Sequence, residues 1–168
     1  MSDLPQSPGT QTEADFEQMS WHDCRLWKIE FEIGDFDEDD WTADLSIGLD
    51  YILGGVCGID VEYAVTVAPA ALVFHSVTDP KIAIDWGNSN HQVTIHDVIM
   101  GEIRRSPVEK QYVHLDKPYY HWTIEIVWPE GGTITFGALG YTQTLLAEPV
   151  TQAKSYFSLS ERKRLLTR

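Results

Sequence analysis

The 168-residue sequence has few cysteines and no long run of apolar residues. Its two cysteines, Cys24 and Cys57, are too few for a disulfide scaffold, and without a CxxC spacing they form no zinc motif. We therefore predict that both are reduced and packed as small hydrophobic residues. No apolar stretch of about 18 residues occurs, so the sequence predicts no membrane-spanning helix. The polar residues 1–18 lack the basic and apolar regions of a signal peptide, which favours the cytoplasm.

Basic residues are scarce in the first third of the chain. Residues 1–62 hold 16 acidic side chains and two basic ones, Arg25 and Lys28, whereas the rest of the chain holds 10 of each and is neutral. Nucleic acid requires a cationic surface, so it is not an expected partner. An acidic face instead attracts a basic protein. The simpler interpretation is that the charge only keeps the protein soluble.

Alternation of apolar and polar residues predicts many short strands. Apolar residues recur at every second position over residues 25–33, with Arg25, Trp27 and Phe31 in one phase, and again over residues 41–53. The acidic residues 34–40 between them complete a predicted hairpin. A second hairpin is predicted for residues 120–128 and 134–140, around a turn at residues 129–132. Glycines 54, 55 and 58 break the alternating pattern, and Pro69 indicates a bulge or an edge position.

The last segment has the signature of a helix. Ser158 and Glu161 are spaced as a capping box, and Leu159, Leu165 and Leu166 form a narrow apolar stripe. The predicted fold class is mainly β, α+β at most: an antiparallel β-sandwich or a partly closed barrel with one short C-terminal helix. We predict a disordered acidic tail over residues 1–19 and a single β-rich domain over residues 20–168.

Seven residues are candidates for binding, and none of them matches a specific catalytic motif. They are His22, Asp23, Asp37, Asp39, Asp40, Asp44 and Asp50. The acidic loop lacks the glycine and glutamate that a calcium-binding EF-hand needs at its sixth and twelfth positions, which are Asp40 and Ser46 here. We therefore predict no metal and no other cofactor.

His22 and Asp23 support an alternative, because a carboxylate orients an imidazole that binds a metal. Further ligands would have to come from distant positions such as Asp44, Asp50 or His75. Without them, Asp23 caps a turn and His22 covers the sheet edge. Cys24 is too close in sequence to these two residues to form a catalytic triad with them.

The remaining histidines and the aromatic residues also leave alternatives open. His91 and His96 are five residues apart, an odd spacing that points them to opposite faces of a strand. His75, His114 and His121 lie on different predicted strands, and nothing in the sequence shows that they converge. The six tryptophans either fill the core, as their strand phases indicate, or form an exposed platform.

Three segments resemble the sequences of small β-rich bacterial families, some uncharacterised and some described as immunity proteins of polymorphic toxin systems. They are Trp21-His22-Asp23 with the following strand, residues 44–53, and residues 122–124 with 132–136. The resemblance covers roughly half the chain. It implies no catalytic residues. It implies an inhibitor that binds a toxin, and an acidic surface would suit a basic toxin nuclease.

The sequence thus favours a non-enzymatic cytoplasmic binding protein, of the immunity type, that uses an acidic N-terminal face. The alternative is a small metal-dependent enzyme or ligand-binding β-protein that uses His22, Asp23 and nearby strand carboxylates. A third interpretation is a homo-oligomer assembled through paired edge strands.

Overall fold

The computed structural model of the chain describes residues 9–58, 61–87, 97–108 and 117–167, with the backbone alone for residues 56–58 and 61–62. Within these residues it has ten strands: β1 Gln11–Thr12, β2 Arg25–Ile33, β3 Ala43–Gly58, β4 Val61–Phe74, β5 Thr78–Ala83, β6 Val98–Pro107, β7 Tyr120–Trp128, β8 Gly132–Ala138, β9 Tyr141–Leu145 and β10 Val150–Gln152. Two short 3-10 helices cover Glu13–Gln18 and Phe36–Glu38, and helix α1 covers Leu159–Leu166.

All strand pairs are antiparallel and belong to one sheet, which confirms the predicted fold class. The strand order is β1-β9-β4-β3-β2-β6-β7-β8-β5, and β10 also pairs with β4. The two halves of this order share one core: the Phe74 ring on β4 lies 5.1 Å from that of Trp122 on β7 and 4.7 Å from that of Phe136 on β8. Rings in such tilted contact stabilise a core beyond their buried area.

Both predicted hairpins are present. β2 and β3 pair from Arg25↔Asp50 to Ile33↔Ala43, and β7 and β8 pair from Tyr120↔Ala138 to Ile126↔Gly132. The apolar phase of β3, from Leu45 to Tyr51, is buried as the alternation predicted. Period-two patterns therefore identified the strands that contribute most to the core.

The faces of β2 differ from the prediction because a bulge shifts the register between Leu26 and Lys28. Leu26 points into the core opposite Leu49, whereas Trp27 covers Gly48 on the other face, where a Cβ at Gly48 would lie 2.7 Å from the indole ring. One extra residue in a strand moves the side chains that precede it to the opposite face of the sheet. Arg25 and Trp27 therefore do not share the face of the later apolar residues of β2.

The regular pairing of β3 is interrupted near the glycines at 54, 55 and 58, with register shifts against β4 at Ile52/Gly54 and Val56/Gly58. The strand continues through Gly54 and Gly55, and Gly58 is its last residue. Pro69 lies within β4 and not at its edge. On the side away from β3, β10 pairs with β4 up to Val67, and β9 pairs with β4 from Ala70 onwards. Pro69 lies between these two paired segments. Its carbonyl still accepts the Leu146 N–H at 2.7 Å.

Within residues 1–19, for which a disordered tail is predicted, the structure has a short strand and a 3-10 helix. Residues 11 and 12 form an edge strand beside β9, and Thr12 caps the following 3-10 helix in a capping box with Asp15. Phe16 on that helix packs on three core rings, with centroids 5.9 Å from Trp21, 5.5 Å from Trp122 and 6.4 Å from Tyr141. Residues 1–8 lie outside the described residues.

Helix α1 has the predicted capping box of Ser158 and Glu161, but its buried residue is not a leucine. Leu159 and Leu166 are exposed, and Arg162 is buried. The Arg162 guanidinium makes a bidentate contact with the Asp50 carboxylate, from Nη2 at 2.7 Å and from Nε at 3.2 Å. The helix is therefore attached to β3 by an ion pair and not by an apolar stripe.

Candidate functional site

At the tip of the β2–β3 hairpin, residues 31–42, several exposed apolar side chains meet a run of acidic ones. The turn is closed by the Gly34 N–H, which donates to the Thr42 carbonyl at 2.9 Å. Asp35 caps the 3-10 helix by accepting the Asp37 N–H at 3.0 Å. Asp39 ends that helix in the left-handed conformation, with φ of 60°. The turn is thus built from aspartates, which tolerate such conformations.

Two aromatic rings stack on the outside of this tip. The centroids of Phe36 and Trp41 are 4.9 Å apart, and 55% and 71% of these residues is exposed. The Trp41 indole N–H donates to the Asp39 carboxylate at 2.8 Å, which fixes the ring. Phe31 and Ile33, at the end of β2, are also exposed. Contiguous groups of exposed apolar side chains are a common feature of interaction surfaces.

The same tip carries a dense negative charge. Residues 35–40 include five acidic residues, and the sequence has no lysine or arginine between Lys28 and Lys81. Asp40 accepts from the Thr42 hydroxyl at 2.7 Å and from the Thr42 N–H at 3.0 Å. These two hydrogen bonds hold the pKa of the Asp40 carboxyl below its ordinary value. The tip therefore presents fixed negative charge around an apolar centre.

The other predicted site residues do not join this tip. His22 and Asp23 pair with each other at 3.1 Å, and both side chains are largely exposed. Asp50 is fully buried beneath α1, so it is not available to a partner. Of the seven predicted residues, the structure brings only Asp37, Asp39 and Asp40 to one surface.

Asp44 forms a separate chain of hydrogen bonds. Its carboxylate pairs with His75 Nδ1 at 2.9 Å and accepts the Ser76 N–H at 3.0 Å. The other ring nitrogen, His75 Nε2, lies 2.8 Å from the Thr142 hydroxyl. This chain connects β3, the end of β4 and β9. It joins Asp44 and His75, two of the residues considered as metal ligands, but His22 and Asp23 are not part of it.

No group of three or more metal-binding side chains occurs within the described residues. His91, His96 and His114 lie outside them, so the structure does not test their roles. Cys24 is buried, and burial raises the pKa of its thiol to about 12. Such a thiol is protonated at neutral pH and unreactive. The Cys57 side chain is not described.

The sequence indicated the acidic residues of the tip but not the aromatic pair. Trp41 was assigned to the apolar phase of its strand, yet it precedes the first residue of β3 and is exposed. Trp128 is likewise exposed at 57%, while Trp21 and Trp122 are buried. Phe36 interrupts the acidic run, and a large ring within a charged turn was the one signal that could have identified the patch.

Within the part of the chain that the structure describes, no helix is long and apolar enough to cross a membrane. Comparison with family models, with curated proteins and with solved structures finds no match to this chain. Functional inference therefore depends on the geometry of the molecule itself.

Proposed function

We propose that the protein is a non-enzymatic binding protein, of the immunity-inhibitor type, that engages a basic protein partner through the β2–β3 hairpin tip. The observation that carries the proposal is the exposed Phe36–Trp41 stack inside an acidic turn. An interface of this kind combines an aromatic anchor that loses its water with a charged rim. Such a rim accelerates association with a partner of opposite charge.

The geometry of the turn supports a preorganised surface. Asp35 and Asp40 hydrogen-bond within the turn, and Asp39 holds the Trp41 ring. Fixing these side chains before binding lowers the entropy lost on association. Asp37 and Glu38 are exposed, and their side chains make no hydrogen bond or ion pair to a described residue that would have to break.

The β7–β8 turn provides a matched control on the same molecule. It also exposes a tryptophan, Trp128, beside an exposed acidic residue, Glu130. No ring of a described residue stacks on Trp128, and the sequence of this turn has no run of five acids. A general effect of exposed tryptophan or of surface charge would appear equally at both turns, whereas a specific interface would appear only at the β2–β3 tip.

The test begins with site-specific photocrosslinking in cells of the source organism. A benzophenone amino acid replaces Trp41 in one variant and Trp128 in the other. We expect position 41 to crosslink one main protein with a basic isoelectric point, and position 128 not to crosslink it. The identified protein is then purified and its Kd for the wild-type chain is measured by calorimetry.

With that purified partner, we expect Trp41→Ala to weaken binding by about 2 kcal/mol, or about thirtyfold in Kd. Trp128→Ala should leave Kd unchanged. The proposal is wrong if position 41 captures no protein, if the captured protein is acidic, or if the two alanine variants bind equally well.

A further inference from the structure

A cavity of about 400 Å³ lies between the N-terminal segment, the end of β4 and the turn that joins β8 to β9. Backbone hydrogen bonds fix its walls: the His75 N–H donates to the Gly140 carbonyl and the Leu139 N–H to the His75 carbonyl, both at 3.0 Å. Beside the cavity, β1 pairs with β9 at Thr12↔Thr142. This volume is within the range of small-molecule binding sites.

The hydrogen-bond chain from Asp44 to Thr142 places an acceptor on the wall of this cavity. A carboxylate only accepts hydrogen bonds, so His75 Nδ1, which lies 2.9 Å from the Asp44 carboxylate, carries the hydrogen of that bond. With the ring neutral, His75 Nε2 has a lone pair, and the Thr142 hydroxyl donates to it across 2.8 Å. Because the hydroxyl hydrogen is directed to His75, the Thr142 oxygen keeps lone pairs that can accept from a ligand.

The Glu13 carboxylate is a second acceptor at the same cavity. Glu13 is the first residue of the N-terminal 3-10 helix, and its carboxylate lies against Gly140, where a Cβ would be 2.8 Å from Glu13 Oε2. The lack of a side chain at Gly140 thus leaves the space that this carboxylate occupies. The Glu13 side chain makes no hydrogen bond or ion pair to a described residue, so its oxygens can accept from a ligand.

A cation and apolar surface complete the lining of the cavity. Lys117 lines it, and the Lys117 ammonium likewise forms no ion pair with a described residue, Glu13 included. The rings of Tyr120 and Pro118 and the side chain of Leu139 provide apolar surface. The cavity therefore offers one negative group, one positive group and an apolar wall to the same ligand, a combination that fixes the orientation of a small molecule.

We propose that this cavity binds a free α-amino acid with an apolar side chain. The ammonium group of the ligand donates to the Glu13 carboxylate and to the Thr142 hydroxyl oxygen, and its carboxylate pairs with Lys117. The ligand's side chain packs against Tyr120 and Leu139, which removes apolar surface from water. This inference goes beyond the proposed function and is independent of it, because no residue of the hairpin tip lines the cavity.

The test is a titration of ¹⁵N-labelled protein with L-phenylalanine, followed by NMR. N-acetyl-L-phenylalanine, which lacks the ammonium charge, and L-phenylalaninamide, which lacks the carboxylate, are the matched probes. We expect L-phenylalanine to shift the backbone amide signals of Gly140 and Thr142 with saturation, and not those of Phe36 and Trp41 at the hairpin tip. Each derivative should bind at least about tenfold more weakly, because it loses one charge-assisted contact.

Variants that remove one charge test which side chain binds which group of the ligand. Glu13→Gln should weaken L-phenylalanine binding at least about fivefold and leave N-acetyl-L-phenylalanine unchanged, whereas Lys117→Gln should weaken L-phenylalanine equally and leave L-phenylalaninamide unchanged. Glu148→Gln and Lys81→Gln, which remove exposed charges outside the cavity, should have no effect. The proposal is overturned if L-phenylalanine gives no saturable shift, if either derivative binds as tightly, or if the control variants lose as much affinity as the cavity variants.

Discussion

Among single residues, Asp50 connects distant parts of the chain. It is fully buried on β3 and accepts hydrogen bonds from Arg162 and from the Phe157 N–H. We expect Asp50→Ala to lower the free energy of unfolding by about 3–5 kcal/mol, because it leaves a buried guanidinium without a counter-charge. Chemical denaturation followed by tryptophan fluorescence measures the change.

The double variant Asp50→Leu/Arg162→Met separates charge from packing. Replacing both members of a buried ion pair with apolar residues of similar size is often neutral. We therefore expect the double variant to be more stable than Asp50→Ala. A double variant as unstable as the single one would show that the pair itself, and not the unpaired arginine, accounts for the loss.

Cys24 is a second residue whose environment predicts a measurable property. Burial raises the pKa of its thiol from 9.0 to about 12, so the folded state holds the proton more strongly than the unfolded state. The contribution of the protonated thiol to the free energy of unfolding is complete below pH 9 and is lost as the pH rises towards 12.

In a Cys57→Ser background we expect the free energy of unfolding to fall as the pH rises above 9, by up to about 1.4 kcal/mol per pH unit. The slope is compared with that of the same protein carrying Cys24→Ala, which lacks the titrating thiol. Equal slopes would contradict the assignment. A thiol reagent at about pH 8 should modify Cys24 only after unfolding.

At the scale of elements, the N-terminal 3-10 helix contributes to the core, which the polar composition of its segment did not predict. Phe16 contacts three core rings and lies beneath the Arg105 guanidinium, 4.4 Å from the ring centre. We expect Phe16→Ala to lower the free energy of unfolding by about 2 kcal/mol, less than for a fully buried ring.

Phe36→Ala serves as the matched control for this experiment, since Phe36 is exposed at the hairpin tip. Phe36→Ala should lower the free energy of unfolding by less than about 0.5 kcal/mol in the same denaturation measurement. A Phe16 variant as stable as the Phe36 variant would mean that the N-terminal segment does not contribute to the core. A small effect at Phe36 would also show that this tip variant remains folded.

How far the sequence predicts these elements depends on their length and pattern. The long alternating strands β2, β3, β7 and β8 were identified because each buries a regular apolar face. β1 and β10 have two and three residues and are polar, so no period is visible in them. The bulge places Trp27 on the face of β2 opposite to the one predicted. Its position depends on packing of the indole against Gly48, which sequence spacing does not show.

The candidate sites divide in the same way. The acids of the tip are adjacent in sequence and were identified together, whereas Asp50 and Arg162 are 112 residues apart and meet only in the folded chain.

At the scale of the whole molecule, the acidic charge of the first third has its densest run at the hairpin tip. Five of the 16 acidic residues of positions 1–62 lie within residues 35–40. A protein that used its charge for solubility alone would not require the stacked rings of Phe36 and Trp41 among the acids. The arrangement is that expected of a surface with a specific basic partner.

The most direct test of this account is the association rate of charge-reversal variants with the crosslinked partner, measured by stopped-flow at several salt concentrations. Asp37→Lys/Glu38→Lys alters the tip without removing the turn's hydrogen bonds, and Glu130→Lys/Glu125→Lys is a control of equal charge change on the other hairpin. We expect the tip variant to associate at least about tenfold more slowly at low salt, with a weaker salt dependence, while the control stays close to wild type. Equal rates and equal salt dependence for the two variants would contradict the hairpin tip as the binding surface.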